Sequence, residues 1–210
     1  MSAKRLAVRA LSVVAVAYFV MTSGALAQVN ELSLTTGLTF VSTQTVPSTG
    51  FPIHFGDASG SIVGNYARLI LSRKIFGIYG EVPVGVVWKT DLNYFPGGVP
   101  KDTSALFVTP SVRVNIFSGD SVTPWVSAGG GYGRFRESSS LYPYGTNPAS
   151  TGTNTGVLQV GAGLDVWFWH TWGARFEARD FYSGAPDLNI DTGRSRQHNY
   201  YVGAGVTHRF

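Results

Sequence analysis

The stretch His198-Asn199-Tyr200-Tyr201-Val202-Gly203-Ala204-Gly205-Val206-Thr207-His208-Arg209-Phe210 decides the fold. Successive side chains of an extended strand point to opposite faces. Tyr200, Val202, Ala204, Val206, His208 and Phe210 therefore share one side, and Asn199, Tyr201, Gly203, Gly205, Thr207 and Arg209 share the other. A soluble barrel would bury the first face and expose the second. A membrane barrel does the reverse, with its apolar band turned to lipid and its polar residues turned to the lumen.

Working outward, the same alternation recurs along the chain. Leu158, Val160, Ala162, Leu164, Val166 and Phe168 oppose Gln159, Gly161, Gly163 and Asp165. Leu106, Val108, Val112, Val114 and Ile116 oppose Thr109, Ser111, Arg113 and Asn115. Ile78, Val82, Val84, Val86 and Trp88 oppose Tyr79, Glu81 and Gly85, while Leu32, Leu34, Leu38 and Phe40 oppose Ser33, Thr35, Gly37 and Thr39. Charges and glycines would make a poor soluble core, because an unpaired buried charge is very costly. The opposite, apolar faces suit lipid, and closing the sheet into a barrel satisfies every backbone N–H and C=O where no water is present.

Eight such segments are read, from about Asn30 to Ser42, Gly60 to Ser72, Ile75 to Trp88, Ser104 to Ile116, Val122 to Arg136, Thr155 to Phe168, Trp172 to Ser183 and His198 to Phe210. Each meets the ~9 to 11 residues needed for an oblique crossing. Long links (Thr43 to Ser59, Lys89 to Thr103, Glu137 to Asn154, Gly184 to Gln197) follow the odd strands. Short links (Arg73-Lys74, Phe117 to Ser121, Trp169 to Thr171) follow the even ones. In an up-and-down meander, all long loops then lie at one end, and the tight turns lie with both termini at the other. Two aromatic girdles are expected. Trp125, Trp167, Phe168, Trp169, Trp172 and Phe210 mark the short-turn end, and Phe40, Trp88, Tyr132, Tyr182 and Tyr200 mark the long-loop end.

Composition agrees. Of the 210 residues, 13% are charged and 13% aromatic, which argues against a disordered or coiled-coil chain. The absence of cysteine rules out disulfides and thiolate metal sites. Lys4, Arg5 and Arg9 precede an apolar run from Ala10 to Met21 and then Ala25-Leu26-Ala27, the layout of a secretory signal peptide cleaved after Ala27. A transmembrane anchor is the weaker reading, because the run falls short of the ~20 residues a spanning helix needs. Residues 1–27 are thus read as the leader and 28–210 as the barrel domain. The formal net charge of +4 then falls to +1, with 13 Lys+Arg against 12 Asp+Glu, and no basic patch for nucleic acid remains.

With these features the chain resembles the small eight-stranded outer-membrane barrels of the OmpA transmembrane domain and OmpX type, over the whole length after the leader. The resemblance implies an all-β, antiparallel up-and-down transmembrane barrel in the bacterial outer membrane. It also implies that Val206, His208 and Phe210 form the terminal signal read by the outer-membrane assembly machinery. His208 departs from the pattern, since an aromatic residue is more usual there. The implied partners are outer-membrane lipid and lipopolysaccharide, the assembly machinery and an extracellular ligand of the loops.

The inferred inward charges are Arg68, Glu81, Arg113, Asp165, Arg175, Glu177, Arg179 and Arg209, five basic and three acidic. An eight-stranded barrel is just wide enough for side chains to fill its interior. An ion network plugging the lumen is therefore expected, with a narrow anion-favouring path as the alternative. In the triplet Arg175-x-Glu177-x-Arg179 the three charges must point the same way, which makes Glu177 the expected partner of both arginines. Gly129-Gly130-Gly131-Tyr132-Gly133 lies within a strand, and no helix follows to hold a phosphate. The inward glycines of 160–164 and 202–206 instead make room for arginine side chains and Tyr201. For catalysis, His54 with Asp57, or His198 with Asp191, supplies the minimum acid–base pair. Motifs this loose favour solvated loop residues. No cofactor, metal or catalytic centre is expected. The functions read are envelope structure and loop-mediated surface contact, then a small channel, then a barrel enzyme acting on lipid A or peptides.

Overall fold

The computed structural model describes residues 30–117 and 121–210. The expected leader, with Ala25 and Ala27, and residues 118–120 lie outside the described residues. Eight strands form the barrel: β1 (Asn30–Val41), β2 (Ser59–Ser72), β3 (Phe76–Asn93), β4 in two segments (Asp102–Val108 and Ser111–Ile116), β5 (Val122–Glu137), β6 (Thr153–Trp167), β7 (Trp172–Gly184) and β8 (Asn199–Arg209). Each pairs antiparallel with the next, and β8 returns to β1 in register from Glu31 opposite Arg209 to Val41 opposite Asn199. The ring leaves no free sheet edge, as a strand structure in lipid requires.

Burial shows the inverted polarity directly. Thr35, Gln159 and Tyr201 are each 1% exposed, whereas Leu34 is 52%, Leu158 58% and Val202 53% exposed. The belt of exposed leucine, valine and phenylalanine around the middle of the wall matches a lipid-facing surface.

Local chemistry sets the irregularities. β4 breaks at Thr109-Pro110 because proline has no N–H to give the ladder. β3 runs five residues past the expected end at Trp88, and its register shifts between Val87 and Thr90. Trp88 and Lys89 consequently both face out, and Thr90 returns to the interior.

Two expectations about facing are corrected. Arg68 lies on the exposed outer wall near the short-turn end, because β2 turns Ser61, Val63, Asn65 and Ala67 inward. Trp125 and Trp167 are not part of a girdle. Trp125 shares its face with Thr123 and Ser127 and lies fully inside, and Trp167 shares its face with Asp165, under the Arg209 guanidinium.

The interior is layered. Above the charged layer described below sits an apolar one, made of Val63, Val87, Ala105, Phe107, Phe135, Val157, Phe181 and Tyr201. Phe107 stacks on Phe181 at 5.0 Å and meets Phe135 edge-on at 5.8 Å. The sequence leads one to expect a polar lumen plugged by the ion network. The phenylalanines fill the barrel toward the long-loop end instead, where dispersion contacts and exclusion of water favour them.

The long loops are not simply solvated. In the first, Gln44–Thr45 pairs with Pro52–Phe55, whose end continues onto β3 at Leu92 and Asn93. Val99–Pro100 of the second pairs with Leu141–Tyr142 of the third. Val46, Ile53, Phe55, Leu92, Tyr94, Val99 and Leu188 form a second buried core, with Val41, Tyr142 and Ile190 packed against it. The loops thus fold into a cap with its own hydrophobic centre, which restricts their motion.

Candidate functional site

Every strand contributes to the charged layer of the lumen, because each turns its alternate residues inward. β1 supplies Glu31, β2 Asn65, β3 Glu81, β4 Arg113, β5 Trp125, β6 Asp165, β7 Arg175, Glu177 and Arg179, and β8 Arg209. Near the short-turn end, Arg209 lies over the Trp167 ring at 3.6 Å and donates from Nε to Glu31 at 2.8 Å. Glu31 also accepts from Arg113 and lies 3.6 Å from Arg175. Arg175 grips Asp165 with two bonds of 2.7 Å and donates to Ser33 at 2.9 Å. Glu81 accepts from Arg179 at 3.0 Å and from Asn65 at 2.8 Å, and it lies 3.8 Å from Arg113.

Glu177 accepts from Arg179 at 3.0 Å and from the Thr35 hydroxyl at 2.6 Å. The expected sharing of Glu177 between Arg175 and Arg179 is therefore corrected. Asp165, directly opposite Arg175 in the ladder of β6 and β7, offers Arg175 a bidentate fit that a neighbour on the same strand cannot match. Trp125 stands in the middle with the guanidiniums of Arg113, Arg175 and Arg179 at 5.8, 5.2 and 5.0 Å from its ring, and it donates its indole N–H to Asp165 at 3.3 Å. The glycines serve this packing. A Cβ on Gly161 would press on Arg179, one on Gly163 would strike the Trp125 ring, and one on Gly203 would strike the Tyr201 ring.

The structure brings together seven of the eight inward charges read from the sequence, leaves out Arg68, and adds Glu31. Glu31 shares the parity of Ser33 and Thr35, which was its only signal. The exchange matters for the charge count. The interior holds Glu31, Glu81, Asp165 and Glu177 against Arg113, Arg175, Arg179 and Arg209, so the excess of arginine that favoured an anion path is gone. Balanced, mutually bonded charges offset the cost of removing each from water.

Above the apolar layer, Gln44, Gln197, Asn199 and Ser183 form a chain of buried amides and hydroxyls, with bonds of 3.0 Å between successive members. Thr192 of the fourth loop closes onto Gln44 at 2.7 Å, and Asp187 N–H is held by Glu137 at 3.3 Å. These bonds tie the fourth loop to the barrel mouth.

The histidines are placed otherwise than expected in one case. His198 pairs with Asp180 at 2.6 Å on the outer wall, stacked between Tyr182 and Tyr200. Asp191 instead accepts the Gly193 N–H at 2.7 Å within its own loop. His54 and Asp57 line the same open cleft beside the first loop. At the terminus, Phe210 and Asn30 exchange backbone bonds of 2.9 and 3.0 Å. His208 packs on Trp172 at 4.5 Å and on Phe210 at 5.9 Å, so the imidazole fills an aromatic slot on the outer wall beside Val206.

A closed ring of eight strands, an apolar outer belt and a charged, filled interior define the fold of the small eight-stranded membrane β-barrels. Three solved structures of outer-membrane proteins share this fold. OprG of Pseudomonas aeruginosa superposes with a TM-score of 0.54 at 10% identity, over 87% of this chain and 95% of that one. Neisserial surface protein A gives 0.51 at 12% identity, over 90% and 100%. The attachment invasion locus protein Ail of Yersinia pestis, solved with the heparin analogue sucrose octasulfate, gives 0.50 at 13% identity, over 88% and 100%. No protein-family model and no curated protein matches the sequence.

Proposed function

We propose that the protein is a non-catalytic scaffold of the bacterial outer membrane, plugged along its lumen, that meets its surroundings through its loop cap. The observation that carries this reading is the continuous filling of the barrel by a balanced ion layer, a phenylalanine layer and a cored cap. A rigid cap presents fixed side chains, which lowers the entropy lost on binding. Phe51, Phe95 and Tyr144 stand exposed on three different loops, and Arg194 and Arg196 are exposed on the fourth. Such aromatic and arginine side chains are the ones that dominate contact surfaces. That Ail was solved with a sulfated sugar supports an anionic extracellular ligand as one candidate for the cap.

In a planar bilayer the refolded chain is expected to stay silent, with folding checked on the same sample by heat-dependent gel mobility. Reproducible conductance steps altered by substituting Arg113 would overturn the plug and favour the small channel.

The same reading includes a leader removed after Ala27 and a terminal signal of Val206, His208 and Phe210. Phe210 closes the β1–β8 seam through its bonds to Asn30, and its ring lies on the outer wall, open to a recognising surface. Deletion of Phe210 is expected to cut folded protein in the outer membrane several-fold, read as the heat-modifiable band in outer-membrane fractions. Undiminished assembly would remove this residue from the signal.

A further inference from the structure

Along the outer face of β5 the chain changes character. Val126, Ala128, Gly130 and Tyr132 face the apolar belt, and the next two outward residues are Arg134 and Arg136. They are roughly 7 Å apart, the spacing of alternate residues in a strand, and like charges held that close repel. Two other outward charges of the wall, Lys89 and Asp180, are paired. Lys89 lies 3.1 Å from Asp91 and 3.6 Å from Asp102, and Asp180 holds His198 at 2.6 Å. Among the described residues, Arg134 and Arg136 make no hydrogen bond or ion pair. They border an open cleft of about 400 Å³ on the wall of β3, β4 and β5, with Leu106 opposite Arg134, the small Ser104 opposite Arg136, and Val86 and Trp88 on the next strand.

The cleft is thus cationic along β5 and apolar along β3 and β4, toward the long-loop end where the apolar belt gives way to lipid headgroups. We propose that it is a binding site for an acylated lipid bearing a phosphomonoester. Arg134 and Arg136 would hold the phosphate, and Trp88, Leu106 and Val86 would lie against the first carbons of an acyl chain. Guanidinium groups bind phosphate oxygens in a bidentate manner and keep their charge at any physiological pH. Two of them, neither in an ion pair, match the charge of about −1.5 to −2 on a phosphomonoester better than the single charge of a phosphodiester. The site rests on the outer-membrane reading, since the long-loop end must face the leaflet that carries such a lipid.

The test uses the refolded protein in phosphatidylcholine nanodiscs doped with lipid A or, separately, with phosphatidylglycerol, counting lipids retained per barrel by native mass spectrometry. The parent is expected to retain lipid A over phosphatidylglycerol. The double substitution Arg134→Gln with Arg136→Gln is expected to lower retention of lipid A about tenfold or more, as loss of charge-assisted bonds at two arginines implies. Arg68→Gln with Lys74→Gln removes equal charge at the other rim and should leave retention unchanged. Equal retention of lipid A by the Arg134/Arg136 variant overturns the site, and equal retention of the two lipids by the parent overturns its phosphomonoester selectivity. A parent that gives no heat-modifiable folded band in these bilayers overturns the membrane reading itself, which keeps the two failures apart.

Discussion

Replacing Glu31 with Gln is expected to destabilise the barrel by about 3 to 5 kcal/mol, the range found when one partner of a buried ion pair is removed. Glu31 faces more arginines than any other carboxylate in the interior. It bonds Arg113 and Arg209 and lies 3.6 Å from Arg175. The substitution keeps the shape but leaves four guanidiniums against three carboxylates. Arg113 would keep only the longer 3.8 Å approach to Glu81, and Arg209 would keep its place over Trp167 without a carboxylate. The measurement is urea unfolding in lipid vesicles, followed by tryptophan fluorescence and heat-dependent gel mobility. Adding Arg209→Gln restores the charge balance and should recover part of the loss, a coupling that the double-mutant comparison isolates. A Glu31→Gln barrel as stable as the parent would mean that the ion layer is not a cooperative network.

Gly205→Val is expected to eliminate the folded form altogether, while Ala204→Val beside it leaves folding intact. Gly205 lies opposite Thr35 across the β1–β8 seam, and its Cβ would run into the Leu34 carbonyl oxygen and the Thr35 Cα. Those are backbone atoms of the neighbouring strand, so no side chain can swing aside to make room. Gly37 meets the Val202 carbonyl from the other strand in the same way, so small residues on both strands allow the last strand to close on the first. Ala204 points out of the wall into open surroundings, where a larger apolar side chain adds to the lipid-facing belt. Heat-dependent gel mobility after refolding reads both variants. A folded, heat-modifiable Gly205→Val protein would show that the seam tolerates a Cβ and that the glycine is there for another reason.

These outcomes depend on positions whose legibility in the sequence differed. Gly205, Arg175, Glu177 and Arg179 lie in strands whose apolar and polar residues alternate cleanly, and parity alone put them inside. Arg68 lies in Ala67-Arg68-Leu69-Ile70-Leu71, where apolar residues fall on both parities and the register slips between Leu69 and Leu71. Only the pairing of Arg68 with Asn30 and Gly80 fixes its side. Trp125 misled by its type, since an aromatic residue near a strand end also fits a girdle. Its parity with Thr123 and Ser127 was the better guide. Glu31 carried the same parity signal at the very start of its strand.

Eight alternating segments, and long and short links that alternate between them, are written in the chain, and from them follows a membrane barrel with its apolar face outward. Strand periodicity and link length are local properties, and a side-chain period of two fixes facing wherever the pattern is clean. Which inward groups meet is fixed by the assembled barrel. Asp165 reaches Arg175, Glu31 gathers residues from strands far apart in the chain, three phenylalanines share one layer, and the four loops build a common core. Those contacts depend on strand register and on closure of the ring, which bring distant residues to the same height, and no local pattern encodes them.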